Sequence, residues 1–216
     1  KHPSPLTARG EKTYETHVAW GLLEADRIAP GKGYAQSALS NIRWALTQQT
    51  VSGWFQQCCT QDPKQPLTHT LGYVLRGILE AYSYNNDPAL LNACRKMADG
   101  CLKTIREDGF LPGRLKEDWS GAVSSVCLTG SVQIAHCLLL MYKFTQEIRY
   151  RDAAYALNRY VRWTIKVDGP PDTCGAIKGS FPIDGDYVPY GYPNWACKFF
   201  IDSNMLERSV RDSEEG

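Results

Sequence analysis

The chain has 216 residues, 43% hydrophobic and 22% charged, with a formal net charge of +1. That suits one domain with a good core. Without an excess of Lys and Arg it offers no footing for nucleic acid or an anionic membrane surface, and no apolar run nears the roughly 18 residues that span a bilayer.

Apolar positions recur at i, i+3, i+4 and i+7 in segment after segment, while strand-like alternation is missing. After an N-terminal extension over 1–13, helices are expected over 14–28 and 34–49, joined by 30-PGKG-33 and closed by Gly53-Trp54-Phe55. A second pair follows over 68–84 and 89–105, with Asn86-Asp87-Pro88 between them and Asp108-Gly109-Phe110 after. Asp87 is a good N-cap and Pro88 a good first helical residue. The third pair covers 127–144 and 149–165 and closes on a longer stretch, 175–183. A fourth unit starts with a helix over 193–206 and gives way to a polar tail, 207–216.

The helices therefore alternate, a more apolar one and then a more amphipathic one, with a period of about 50 to 70 residues, too long for tetratricopeptide or ankyrin units. The order fits a single all-α domain over 14–206, built as a ring or stack of αα-hairpins with the apolar helices inside. In such a ring the loops entering the inner helices emerge on one face. Trp54, His69, Trp119 and Trp195 are then expected to meet at a common mouth, although they are far apart in sequence.

The segments 109-GFLPGRLKEDW-119, 127-CLTGSVQIA-135 and 175-GAIKGSFPIDGDYVPYGYPNWACKFFID-202 resemble the (α/α) toroid superfamily. It includes six-hairpin glycosidases, related polysaccharide lyases, and prenyltransferase and terpene-cyclase toroids. The resemblance runs from about Tyr14 to Leu206 and implies an (α/α) toroid or partial toroid. For function it implies binding, and cleavage or modification, of an oligosaccharide or polysaccharide in a cleft at one end of the ring. Closed toroids of this kind use roughly five to seven hairpins, whereas three and a half are legible here. An incomplete ring would leave an inner helix unshielded and favour self-association.

Glycoside hydrolysis uses a pair of carboxylates, and lyases use a His, Tyr or Lys base. Asp118, beside Glu117 and Trp119 in a loop before an inner helix, is the expected catalytic carboxylate, with His69 as its partner. A helix N-terminus lowers the pKa of a histidine there and favours the neutral base. His17 holds the corresponding place one unit earlier, as a substrate contact. Trp54, Trp119, Tyr190 and Trp195 are the expected stacking surfaces, because sugar C–H faces pack on aromatic rings. Lys178, between glycines in 175-GAIKGSF-181, is the expected contact for an anionic group. Each has a plainer alternative: loop carboxylates such as Asp118, Asp184 and Asp186 commonly close turns, and lone histidines commonly brace helices. His136, mid-helix among Ala135, Cys137 and Leu138, reads as packed.

Neither HExxH, GxSxG, a P-loop nor a dinucleotide fingerprint is present, so no metal and no cofactor is expected. The aspartate clusters of terpene chemistry are also missing, which weakens the prenyltransferase-like alternative. A non-catalytic helical-repeat module binding a glycan or a protein is the other rival. It would show aromatics in its cleft without displaced pKa values. The eight cysteines lack any CxxC pair and read mostly as reduced, buried residues; Cys58, Cys59 and Cys174 are the loop positions best placed for a disulfide. With no signal peptide visible in this chain, the cytoplasm is the favoured compartment.

Overall fold

The computed structural model describes residues 10–215. The part of the expected extension over 1–9 lies outside the described residues. Among the described residues seven α-helices carry the fold: α1 (Thr16–Ile28), α2 (Tyr34–Thr47), α3 (Thr68–Asn85), α4 (Pro88–Leu102), α5 (Leu128–Thr145), α6 (Ile148–Trp163) and α7 (Asn194–Glu215). Each falls where the helical periodicity places one. Asp87 caps α4 as expected, its Oδ1 accepting from Ala89 N at 2.9 Å ahead of Pro88.

Packing sorts the helices into two layers. α1, α3, α5 and α7 lie side by side in that order, and α2, α4 and α6 pack outside them as the second helix of each hairpin. The inner crossings are close because glycines sit at them. A Cβ on Gly77 of α3 would come within 2.3 Å of the Thr16 backbone, and one on Gly130 of α5 within 2.2 Å of Thr68 Oγ1. Between the layers runs the main core, including Leu23, Leu71, Leu75, Ile78, Met97, Leu138 and Tyr150, all essentially inaccessible. All eight cysteines are free thiols and six are buried, where desolvation pushes Cys58, Cys101, Cys127 and Cys137 up to about 12.

Two features depart from the sequence pattern. A two-residue antiparallel pair, β1 (Val126–Cys127) with β2 (Ser180–Phe181), ties the loop before α5 to the loop before α7. Such short strands leave no alternation to read. Residues 207–215, expected as a polar tail, instead continue α7. Val210 is buried, and Glu207 is held by Asn158 Nδ2 at 2.8 Å and by Arg162 and Arg211. Glu207 and Glu214, the latter accepting from Arg151 Nη1 at 2.7 Å, tie this end to α6, while Arg208 and Asp212 stay exposed.

The arc ends on α1 and α7. α1 exposes Val18 and Ile28, and α7 exposes Ile201 and Met205. No helix among the described residues is long and apolar enough to cross a membrane.

Candidate functional site

Inner helices that bury one face against the outer layer turn the opposite face inward to the ring. On α3 that face carries His69, Tyr73, Arg76 and Glu80, at i, i+4, i+7 and i+11. On α1 it carries His17 and Trp20, on α5 Gln133 and His136, and on α7 Trp195, Lys198, Phe199 and Asp202. Ten residues from these four helices, among them His17, Tyr73, Arg76, Gln133, His136 and Phe199, close around a nearly filled cavity of ≈ 10 Å³. That is about the space one water needs.

The aromatic rings form a continuous path across this face. His17 lies 4.3 Å from Tyr73, His69 lies 4.5 Å from Tyr73 and 5.3 Å from Tyr187, and Phe199 lies 6.0 Å from Tyr73 (ring centroids). Trp195 joins the outer end, its Nε1 donating to the Tyr187 hydroxyl at 2.8 Å. Tyr187 comes from the loop between β2 and α7. That loop is fixed by Ser180 Oγ, which donates to Tyr187 O and accepts from Tyr187 N.

The histidines are held neutral. Burial pushes His17 down to about 4 and His136 to about 3. For His69 burial also lowers the pKa, against an opposing bond to Gln133. His69 Nδ1 lies 2.7 Å from Gln133 Oε1. With an amide oxygen facing it, Nδ1 carries the proton, which leaves Nε2 with a free lone pair. The buried Nδ1 atoms of His17 and His136 have no partner among the described residues. Burial raises the phenol pKa of Tyr73 and takes that of Tyr187 up to about 12. Neutral imidazoles and protonated phenols side by side can accept and donate protons near neutral pH.

Of the residues expected at one mouth, the structure gathers His17, His69 and Trp195 and separates the rest. Trp54 and Trp119 pack edge to face with centroids 5.2 Å apart, and both are almost wholly buried in the core. The Trp119 indole lies against Gly100 of α4, where a Cβ would come within 2.0 Å of the ring, and its Nε1 donates to Ser52 O at 3.0 Å. Neither indole is an open stacking face, so the expectation for these two is corrected.

Asp118 closes a turn. Its Oδ1 accepts from Ser120 N at 2.9 Å and Ser120 Oγ at 2.6 Å, bonds that hold its carboxyl below the usual range. It is exposed and lines an open groove with Trp54, Gln57, Lys64 and Lys116, sharing no cavity with His69. The expected Asp118–His69 pairing is therefore not assembled. Lys178 is nearly buried, and its Nζ donates to Thr164 O at 2.6 Å, which ties down the end of α6. It is a brace for that carbonyl and is not placed to meet an anion. Tyr190 is well exposed on the loop before α7, with left-handed backbone (φ 57°).

Sequence reasoning missed Trp20, Tyr73, Arg76, Gln133, Tyr187, Lys198, Phe199 and Asp202; His136, read as packed, lines the nearly filled cavity. A signal existed: polar and aromatic residues repeat at helical spacing on the otherwise apolar inner helices. Among the described residues no cluster of three or more His, Cys, Asp or Glu is arranged to hold a metal.

The chain matches no family model and no curated protein. Solved structures do match it. An unsaturated glucuronyl hydrolase from Bacillus sp. GL1 aligns at TM-score 0.73 and 16% identity, over 93% of this chain and 59% of its own. A GH76 α-mannanase from Bacteroides thetaiotaomicron aligns at 0.69 and 17%, over 99% and 56%. A polysaccharide lyase aligns at 0.65 and 13%, over 98% and 64%. These neighbours are six-hairpin glycosidase-like (α/α) toroids, and the likeness makes this chain's fold an (α/α) toroid or partial toroid. The chain spans less than two thirds of each.

Proposed function

We propose that this toroid is a carbohydrate-active protein that binds an oligosaccharide or polysaccharide on the face of its inner helices and cleaves or modifies it. One observation carries the proposal. Four inner helices and the loop before α7 bring three neutral histidines, two tyrosines and an exposed indole onto one face. Aromatic faces pack on sugar C–H surfaces, and imidazole, phenol and amide groups bond to hydroxyls. Displaced pKa values on three groups of the face favour an enzyme over a plain binding module. The neighbours' own activities point the same way: one degrades glycosaminoglycan and another is a mannanase.

His69 is the proposed base, through Nε2, with Tyr187 as the adjacent proton donor. Glu80 and Asp202, two carboxylates of the face, are each held by a cation. Chromatography of products from an oligosaccharide panel identifies a substrate. On that substrate His69→Ala is expected to lower kcat by about 100-fold, the usual scale for a general base. Undiminished turnover in His69→Ala would remove the base assignment. Absence of both turnover and binding across the panel would remove the carbohydrate reading.

A further inference from the structure

A carboxylate-bearing sugar is gripped by an Arg or Lys whose charge is free to meet it, often through a bidentate fork. On the inner face both cations already face a carboxylate. Arg76 Nε lies 2.6 Å from Glu80 Oε1, with both side chains largely buried, and its guanidinium lies 4.4 Å from the Trp20 ring. Lys198 Nζ lies 2.6 Å from Asp202 Oδ2 and 4.6 Å from the Phe199 centroid. Each of these cations is thus matched by a carboxylate on its own helix. The next cation, Arg114, gives its guanidinium to Asp186, Gln61 and the Gln65 carbonyl.

We infer that this face takes a neutral glycan and disfavours one built from uronates. The inference rests on the carbohydrate reading above and narrows it. An incoming uronate would find no unpaired cation and would meet Glu80 and Asp202 as like charges. A neutral sugar asks only for stacking surface and hydroxyl partners, which Trp195, Tyr187 and His69 supply. Burial of the histidines adds to this, since imidazoles held neutral contribute no positive field.

The test is calorimetric titration of the full chain with two sets of size-matched oligosaccharides, mannose- or glucose-based and uronate-based, at low and high salt. Neutral oligosaccharides are expected to bind at least about tenfold more tightly, with little salt dependence. Glu80→Gln releases Arg76 and is expected to raise uronate affinity about tenfold, the scale of one charge-assisted contact. Asp202→Asn releases Lys198 and gives the same readout from a second helix, with circular dichroism confirming the fold of both. A uronate that binds the wild-type chain as tightly as the neutral set, with salt-sensitive affinity, overturns the inference and leaves the carbohydrate reading standing. If neither set binds, both fall.

Discussion

His17 and His136 each keep a buried ring nitrogen without a partner, so protonation opposes folding. Their pKa values drop from the ordinary 6.5 to about 4 and about 3 in the folded chain. Above pH 6.5 both states are neutral and stability is at its full value. Between 6.5 and these lowered values the unfolded chain binds protons that the native chain does not, so stability falls as pH falls. Urea midpoints measured at pH 7.5, 5.5 and 4.5 should decline, and His17→Gln should flatten the decline. Parallel profiles for the two proteins would show that His17 is not the group responsible. Trp119 makes a different case. Trp119→Ala is expected to lower stability by about 4 kcal/mol, as for other buried aromatics, readable by chemical denaturation; a change under about 1 kcal/mol would show that the site collapses around it. Nothing in 117-EDW-119 could announce that burial. It follows from left-handed backbone at Trp119 (φ 67°) and from a gap at Gly100, nineteen positions earlier in the chain.

Individual helices were legible because each carries its own periodicity and punctuation. Asp87→Ala is expected to lower stability by about 1 kcal/mol through loss of the cap on α4, with no change in the urea m-value. An unchanged midpoint would show that Pro88 alone sets that start. Contacts between helices are another matter, since they depend on residues far apart. Gly77→Ala should lower stability by about 2 kcal/mol, because α1 and α3 cannot separate without loosening the core. The polar end of α7 behaves likewise. Read alone, residues 207–215 look like a solvated tail, yet Glu207 is nearly buried between Asn158 and Arg162. Glu207→Ala should therefore cost about 3 kcal/mol by stranding its partners. A neutral result would mean that this end of α7 frays without consequence.

For the whole molecule, the alternation of apolar and amphipathic helices was enough to order the layers and suggest a toroid. Placing the site was harder. Loops named for their aromatics, Trp54 and Trp119 above all, turned out to be joints of the core. The face of histidines and aromatic rings is built instead from positions on the inner helices, such as Tyr73, Gln133 and His136, that look ordinary in sequence because their neighbours are apolar. Which face of a buried helix meets the ring interior is decided by packing, and packing is not written in any single segment. The central claim is that these inner faces together form a glycan site. A crystal structure of the chain with a neutral oligosaccharide tests it most directly. The expected density places a sugar ring on the Trp195 indole, with hydroxyls in hydrogen-bonding reach of His69 and Tyr187. Density in the open groove beside Trp54 and Asp118, with the histidine face vacant, would contradict it.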